Sequence, residues 1–486
     1  MPRRPRRPRR LALGLMLSLL PAAPALAGEP APLEDPKSES DLRPAAADAE
    51  PWRLREAAGL PDWLWFDADI QTRYEYVGNQ FRAGRSGDNH AISQRATGRL
   101  QLRFSPVTLG IEMQDARIFH EDREAPINSG TVNTGEILEA WIKLDFRSWL
   151  AEGSEAWLRA GRFTRDYGSR RLVARNIYRN AINAFTGVEG RIKLPSGWAL
   201  NALATSPIQR RPSDPARLRE NKHQLDREHE TVHFWGLFAE TGPQTALDIE
   251  SELYIFGLNE QDSGGRPTRD RELYTPGFRV LRRAKPCRLD FELEGAFQLG
   301  SSRRTASPAD RTNLQHRAFL VHAEAGWTFD GPWTPRVALE YDYASGDKRA
   351  GDKDNERFDS LFGPPRFDYG PTGLFTAMVR SNLNSPGLRV SVKPHRAFDA
   401  FVSYRAFWLA EKRDAWVSAG IRDPSGNSGR FVGHHIELRA RWTVFPGNLT
   451  FEVGGATLIR GRFARTAPGA NAGEPIVGYS QLTLRF

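Results

Sequence analysis

Apolar and polar residues alternate along most of this chain with a period of two. The last nine residues show the pattern clearly, because Leu482, Leu484 and Phe486 fall on one side of an extended strand and the polar residues between them fall on the other. A transmembrane β-barrel requires this alternation, with lipid outside and water inside. An amphipathic strand of a soluble β protein shows it too, so the choice between the two depends on the rest of the chain.

About eighteen segments with this alternation follow one another from Trp63 to the C-terminal end. The predicted strands span 66–76, 92–104, 107–118, 136–146, 155–163, 187–194, 197–204, 231–239, 246–256, 273–282, 287–299, 317–329, 334–343, 387–393, 398–409, 433–444, 448–458 and 477–486. Their apolar faces carry aromatic residues at the ends, which is where a membrane barrel has girdles of aromatic residues at its two interfaces with water. A soluble sandwich has no need of such girdles.

The connections between these segments alternate in length. Short turns with Pro or Gly are followed by long polar stretches, which lie at 164–186, 205–230, 300–316, 344–386 and 410–432. Strict alternation is expected when one rim of a barrel faces the periplasm and the other faces the exterior. We therefore predict an all-β, antiparallel, up-and-down barrel of about eighteen strands in the bacterial outer membrane, present as a monomer.

The beginning of the chain has the composition of a secretory signal. Six arginines lie between Arg3 and Arg10, an apolar run extends from Leu11 to Leu20, and an Ala-x-Ala site precedes Gly28. A basic arm that binds nucleic acid is the alternative, and the apolar run argues against it. We predict a signal peptide at 1–27, a flexible periplasmic lead-in at 28–62 that is rich in Pro, Ala and acidic residues, and a barrel at 63–486.

Composition excludes several other classes of protein. The formal charge is +9, from 68 Lys and Arg against 59 Asp and Glu, and it falls to +3 without the six arginines of the signal. We therefore expect no nucleic-acid partner. The single cysteine, Cys287, excludes an internal disulfide and a cysteine metal cluster. No run of about 18 apolar residues follows the signal, which excludes helical membrane spans.

Motifs of the common enzyme classes are missing from the sequence. We find no Gly-x-Ser-x-Gly, no Gly-rich phosphate loop and no zinc-protease helix. The aspartates of 347–359 do not match EF-hand spacing, although calcium binding there stays an open alternative. We predict no catalytic activity, no cofactor and no metal. A rim-active enzyme and a structural barrel with a plugged lumen are the alternatives outside transport.

Strand parity places most charged side chains in the lumen. Basic residues cluster on the early and the late strands: Arg73, Arg95, Arg99, Arg103, Arg389, Lys393, Arg405, Arg439, Arg441 and Arg485. Because the last strand of a closed barrel pairs with the first, these two groups form one basic wall. The middle strands place acids inward, namely Asp248, Glu250, Glu252, Asp290, Glu292, Glu294, Glu324, Glu340 and Asp342. The result is either a transverse field that guides anions or a mutual neutralisation of charges.

Several stretches carry combinations that are more specific than alternation. They are Tyr341–Asp347, Phe358–Phe362, Ala406–Glu411, Asp414–Trp416, Arg159–Arg162, Tyr167–Leu172 and Val432–Leu438. Together they resemble the bacterial alginate export porin family, over most of the chain after the signal. The resemblance implies an eighteen-stranded barrel with an arginine-lined constriction that passes a polyanionic uronate polymer outward. It implies that Arg162 and Arg171 belong to the constriction, with Arg165, Arg175 and Arg179 as neighbours on an inward loop.

The sequence thus predicts an anion-selective channel for an anionic polysaccharide, because an arginine fork takes carboxylates in a bidentate manner. The predicted lining residues are Arg73, Arg99, Arg103, Arg162, Arg165, Arg171, Arg389, Arg405, Arg439 and Arg441. The export direction and a periplasmic export partner are implied by the resemblance alone. The expected partners are the saccharide and outer-membrane lipid, and an uptake porin for small organic anions or oligosaccharides is the alternative.

Overall fold

The computed structural model of the chain describes residues 52–148, 151–242, 248–263 and 266–486. The predicted signal peptide and residues 28–51 of the predicted lead-in lie outside the described residues. The described end of the lead-in carries a short helix, α1 (Leu54–Ala57). Next to it, the amide of Trp52 donates a hydrogen bond to Oδ1 of Asn448 at 2.8 Å, and its ring packs on Phe486 with centroids 6.3 Å apart.

Eighteen long antiparallel strands make up most of the described residues. They are β1 (Leu64–Gly78), β2 (Asn89–Phe104), β3 (Val107–Phe119), β4 (Asn133–Arg147), β5 (Glu155–Phe163), β6 (Phe185–Lys193), β7 (Trp198–Gln209), β8 (Val232–Thr241), β9 (Ile249–Glu260), β10 (Glu272–Arg282), β11 (Arg288–Arg303), β12 (Asn313–Thr328), β13 (Arg336–Ala344), β14 (Leu383–His395), β15 (Phe398–Trp408), β16 (Phe431–Phe445), β17 (Leu449–Arg460) and β18 (Ile476–Arg485). Each strand pairs with the next, and β18 pairs with β1, from Asp69 opposite Arg485 to Gly78 opposite Ile476. The barrel is closed, and the predicted fold is confirmed.

Alternate side chains of the strands face outward and inward, as the sequence pattern requires. In β1, Ile70 and Tyr74 are exposed on the outer face, whereas Gln71, Arg73 and Glu75 are buried on the inner face. The outer face of the other strands likewise exposes Leu, Ile, Phe and Trp side chains. An apolar surface of this size is matched by lipid and not by water.

Aromatic side chains lie at both ends of this outer face. Phe104, Phe146 and Trp442 are exposed near the strand ends that short turns join, and Tyr76 and Tyr341 are exposed toward the opposite rim. The connections alternate as predicted. The turns at one rim are as short as 105–106, and the connections at the other include 164–184 and 345–382. By this asymmetry the rim of short turns is the periplasmic one.

Several strands extend further than predicted at the rim of long loops. β11 ends at Arg303 and β12 begins at Asn313, where the sequence predicted ends at 299 and 317. Beyond the belt of lipid-facing side chains, the outer face of a strand no longer has to be apolar. The alternation of apolar and polar residues therefore stops although the backbone pairing continues.

The remaining described elements are small and lie mostly in the long loops. They are the helices α2 (Pro215–Arg219), α3 (Arg366–Tyr369) and α4 (Arg462–Thr466), and two-residue strands at Arg227–Glu228, Asp354–Asn355, Ala415–Trp416 and Ile421–Arg422. None of the helices in the described part of the chain is long and apolar enough to cross a membrane.

Two of the long loops fold into the barrel, and they determine the shape of its lumen. They are 164–184, between β5 and β6, and 345–382, between β13 and β14. The amide of Phe362 donates to the carbonyl of Leu172 at 2.9 Å and joins the two loops. The Phe362 ring also packs on Phe234, with centroids 4.9 Å apart. The core of the molecule therefore lies inside the barrel, where the loops bury apolar side chains against the inner wall.

Candidate functional site

The loop 164–184 is anchored inside the lumen by Arg171. Its Nη1 donates to Glu292 and, at 2.7 Å, to Oε2 of Glu294, both on β11, and its Nε donates to Oδ2 of Asp368 in α3 at 3.1 Å. Burial alone would lower the pKa of Arg171, but the carboxylates of Asp368, Glu292 and Glu294 raise it well above its usual range. The guanidinium therefore stays charged and ties both inward loops to one wall.

Arg175 ties the same loop to a distant part of the wall. Its Nη1 donates to Oε2 of Glu112 on β3 at 2.9 Å and to Oε1 of Glu139 on β4 at 3.2 Å. The amide of Thr164, the first residue of the loop, also donates to Glu139, at 3.0 Å. Since β3 and β4 lie across the barrel from β11, the loop crosses the lumen.

The tip of this loop, from Ile177 to Arg179, lies against the first two strands. Arg73 on β1 donates from Nη1 to the carbonyl of Tyr178 at 3.0 Å. Arg95 on β2 donates from Nη1 to the carbonyls of Ile177 at 2.6 Å and Arg179 at 3.1 Å. Two arginines of the basic wall are thus bonded to main-chain oxygens of the loop.

Tyr178 connects this wall to the second inward loop. The guanidinium carbons of Arg73 and Arg366 lie 4.4 and 4.1 Å from the centroid of its ring. Its Oη donates to Oε1 of Glu452 on β17 at 3.1 Å. Arg366, in α3, also donates to Oε1 of Glu437 on β16 at 2.6 Å. The negative face of an aromatic ring attracts cations, so the tyrosine holds the two arginines near each other.

A cavity of ≈ 110 Å³ lies between this loop tip and the rim of short turns. It is bordered by Asp69, Gln71, Arg73, Arg95, Ile177, Tyr178, Arg366, Arg389, Phe401, Arg439, Arg441, Thr450, Glu452, Gln481, Thr483 and Arg485. Seven of these residues are arginines and two carry carboxylates, so the lining has a formal charge of +5. The pairing of β18 with β1 brings the arginines of the two ends of the sequence together here, as predicted for a closed barrel.

The arginines of the cavity differ in how closely they are paired. Arg389 contacts Glu340 at 2.8 Å, Arg441 contacts Glu452 at 2.8 Å, and Arg439 contacts Asp399. Arg73 donates from Nε to the amide oxygen of Gln481 at 2.8 Å. Among the described residues, no ion-pair partner is found for Arg485, the last residue of β18. When Glu340, Asp399 and Glu437 behind the lining are counted, the formal charge of the site is still +2.

Phe401 is an aromatic residue on an inward face that is otherwise mostly polar. The guanidinium carbons of Arg389 on β14 and Arg439 on β16 lie 4.8 and 4.7 Å from its ring centroid. The ring therefore holds arginines of two strands at the surface of the cavity.

The acids of the middle strands do not form a free acidic wall. They are paired as Glu250 with Arg283, Glu252 with Arg279, Glu292 and Glu294 with Arg171, Asp290 and Glu324 with Arg336, and Glu340 and Asp342 with Arg405. Of the two alternatives left open by the sequence, neutralisation describes this side of the lumen. A positive excess is found on the side of β1, β2 and β14 to β18.

Four of the ten predicted arginines border the cavity and six lie elsewhere. The four are Arg73, Arg389, Arg439 and Arg441. Arg99 contacts Glu112 at 3.2 Å beside the inward loop, and Arg103 lies over the ring of Trp65 near the short-turn rim, at 4.5 Å. Contact of any of these arginines with a solute stays a prediction.

The remaining four of the ten are engaged in ion pairs. Arg162 contacts Glu136 at 2.7 Å and Glu228 at 2.9 Å, Arg165 contacts Glu189 at 3.7 Å, Arg171 anchors the loop as described, and Arg405 contacts Glu340 and Asp342 at 2.8 Å each. Arg405 is only 1% exposed. Its side chain points inward, as the strand alternation indicates, but it lies behind the surface of the lumen.

Sequence reasoning missed several residues of the site, among them Tyr178, Arg366 and Phe401. Tyr178 and Arg366 lie in loops that have no periodicity, so the sequence carries no signal for their approach to the wall. Phe401 does carry a signal, because it interrupts the polar face of a strand whose outer face holds Val402 and Tyr404.

The stretch 347–359, where calcium was an alternative, holds part of its acidic charge in ion pairs. Arg271 contacts Oδ2 of Asp359 at 2.5 Å, and Lys348 contacts Glu356. Within the described ranges, no group of three or more His, Cys, Asp or Glu side chains is arranged to hold a metal ion.

A closed barrel with an apolar belt, inward loops and a polar lumen defines the class of outer-membrane channels. The sequence profile of the family described as alginate export matches residues 62–477. The chain belongs to the alginate export family, which confirms the resemblance, and its place is the bacterial outer membrane. Family and fold point to a transport channel and not to an enzyme.

Solved outer-membrane proteins of Pseudomonas aeruginosa have a similar fold. OpdK is 12% identical over 87% of this chain and 99% of its own, with a TM-score of 0.53. OccK9 (OpdG) is 12% identical over 87% and 98%, with a TM-score of 0.55, and OprD is 12% identical over 87% and 95%, with a TM-score of 0.52. At these identities the similarity concerns the fold alone. No curated protein matches the chain.

Proposed function

We propose that this channel passes a polyanionic saccharide of the alginate type, a polymer of uronate residues, outward across the outer membrane. The observation that carries the proposal is the cavity lined by seven arginines and two carboxylates. Each uronate residue carries one carboxylate, and a guanidinium group binds a carboxylate through two parallel hydrogen bonds. A row of such groups on one wall favours a chain of regularly spaced anions over a neutral one.

The position of the cavity supports the export direction. Its lining includes Arg485 at the end of β18 and Thr450 at the start of β17, both next to the rim of short turns. The inward loops descend from the opposite rim and close the cavity on that side. A polymer arriving from the periplasm would therefore meet the arginines before it meets the loops. The positive field of a cleft raises the local concentration of anions and speeds their capture.

The test is electrical recording of the purified protein in a planar bilayer under a salt gradient, followed by addition of mannuronate oligomers. We expect an anion-selective current that the oligomers block when added on the side of the short turns. Neutral oligosaccharides of the same length are the control and should not block. A cation-selective current, or a current insensitive to the oligomers, would contradict the proposal.

A second candidate is an uptake porin for small organic anions, and the size of the cavity favours it. Its ≈ 110 Å³ is well below the roughly 300–1,000 Å³ of sites that enclose drug-sized ligands. One structure with a similar fold is that of OpdK with vanillate, at 12% identity and a TM-score of 0.53. Block by benzoate-sized carboxylates at concentrations where mannuronate oligomers have no effect would favour this candidate over the first.

A further inference from the structure

We propose that Arg73 and Arg95 form a carboxylate-binding site that the carbonyls of residues 177–179 fill, and that an arriving carboxylate releases this loop tip. The inference rests on the proposed function, because it assumes an anionic solute in the cavity. It goes further in assigning to Ile177, Tyr178 and Arg179 the role of an internal ligand that occupies the site in place of the solute.

The first argument is access. Both arginines border the cavity, yet Arg73 and Arg95 are each only 3% exposed. The loop tip covers them, and the hydrogen bonds to the three carbonyls, at 2.6 to 3.1 Å, occupy Nη1 of each guanidinium group. Nη2 of Arg95 contacts Gln71 at 3.3 Å and Asp69 at 3.6 Å, so on this arginine a solute would have to compete with Asp69 as well. A solute can engage these two guanidinium groups only if the tip leaves them.

The second argument is the chemistry of the exchange. The carbonyls are neutral acceptors, whereas a carboxylate is charged and can accept two parallel bonds from one guanidinium group. Both kinds of bond have the same ionised donor, but only the carboxylate adds the attraction of an opposite charge and a bidentate geometry. A carboxylate that enters the cavity therefore competes well for Arg73 and Arg95, and its binding free energy is available to displace the tip.

The third argument is that the movable unit is short and has firm ends. Before the tip, Arg175 is tied to Glu112 and Glu139. After it, Asn180 donates from Nδ2 to three main-chain carbonyls on neighbouring strands and a loop, at 2.9 to 3.2 Å. Residues 176–179 can therefore swing between these anchors while the rest of the loop stays in place.

The fourth argument concerns the residue just before the tip. Asn176 has a φ of 58°, in the left-handed region, and its buried Oδ1 has no hydrogen-bond partner in the described part of the chain. A left-handed backbone and an orphaned buried oxygen both disfavour the closed arrangement. The contacts of the arginines must offset these costs, so the tip is released when the arginines find a better acceptor.

The experiment measures the accessibility of the tip in barrels reconstituted into liposomes. Exposed Cys287 is replaced by serine, and Ile177→Cys places a thiol on the tip. We expect mannuronate hexamers to raise the rate at which a water-soluble maleimide labels this thiol severalfold. Neutral maltohexaose should leave the rate unchanged. A matched thiol at Ile182→Cys, beyond the Asn180 anchor, should not respond to either sugar.

Two substitutions test the roles of the wall and the tip. Arg95→Gln removes bonds to two carbonyls, and Tyr178→Leu removes the stacking on Arg73 while leaving the wall intact. Each should give fast labelling without any sugar, in barrels whose heat-modifiable migration shows that they are folded. Slow labelling in both would overturn the inference.

The outcomes also separate this inference from the proposed function. If the hexamers fail to block the current, the proposed function fails, and the inference fails with it. If the hexamers block the current while the labelling of Ile177→Cys stays constant or slows, the proposed function stands and the release of the tip is overturned.

Discussion

Reversing two charges of the cavity tests whether its arginines select the solute. The choice of residues depends on the structure. The alternation of inward and outward side chains alone would suggest replacing Arg405 together with Arg439. However, Arg405 is buried between two carboxylates, and a glutamate there would destabilise the barrel. Arg439 and Arg485 border the cavity on β16 and β18. The double variant Arg439→Glu with Arg485→Glu lowers the formal charge of the lining from +5 to +1.

The expected magnitude follows from Coulomb's law. A unit charge about 7 Å from a permeating anion contributes about 0.6 kcal/mol at the dielectric constant of water. At 0.1 M salt, with a Debye length of about 10 Å, about half of that remains. The variant changes the charge by four units, so the energy of an anion in the cavity rises by about 1.2 kcal/mol and its occupancy falls roughly sevenfold. The occupancy of cations rises by a similar factor.

The assay is the reversal potential in a tenfold KCl gradient, where ideal selectivity corresponds to about 59 mV. We expect the wild-type potential to have the sign of anion selectivity and the variant potential to lie near zero. The control is Arg311→Glu with Arg349→Glu, which makes the same change of net charge on exposed residues of the extracellular loops. Equal potentials in the wild type and the cavity variant would refute the reasoning, and so would an equal shift in the control.

Three other expectations concern the anchors of the fold. Arg171→Ala removes the cation shared by the buried carboxylates of Glu294 and Asp368 and the partly buried one of Glu292, at a cost on the order of 3–5 kcal/mol. Trypsin should therefore cut loop 164–184 faster, and unchanged digestion would contradict the anchoring role. Burial and a neighbouring carboxylate raise the pKa of Asp226 to about 7. The folded state therefore binds this proton more tightly than the unfolded state, so the loop that contains Asp226 loses stability as the pH rises toward 7. Digestion of loop 210–231, normalised to the digestion of a peptide substrate, should speed up from pH 5 to pH 8. It should not speed up in Asp226→Asn. Deleting Phe486, the aromatic residue that follows β18, should lower the yield of heat-modifiable barrels; an equal yield would count against its role.

The barrel wall could be predicted from the sequence because a local rule determines it. Each strand must present apolar side chains to lipid at every second position, so the alternation in Leu482, Leu484 and Phe486 is visible without any partner strand. The rule fails at the rim, where β11 and β12 extend to Arg303 and Asn313, beyond the part of each strand that faces lipid. The rule also fails inside the barrel. The two inward loops do not face lipid, so their sequences show no alternation of apolar and polar residues.

The site could be predicted only in part, because parity gives the direction of a side chain and not its partner. Arg73 and Arg405 both point inward, as the sequence indicates. Arg73 reaches the cavity and the loop tip, whereas Arg405 is enclosed by Glu340 and Asp342 of β13. The difference depends on contacts between residues far apart in the chain, and a single sequence does not contain them in any periodic form.

Two pairs of inward arginines therefore have opposite expected phenotypes. Arg171 and Arg175 hold the loop across the lumen through carboxylates of β3, β4 and β11, so weakening them should widen the path and raise conductance while anion selectivity persists. Arg439 and Arg485 lie on the wall and do not hold the loop, so changing them should abolish selectivity while conductance stays similar. If variants of both pairs gave the same phenotype, the assignment of Arg171 and Arg175 to the loop and of Arg439 and Arg485 to selection would be wrong.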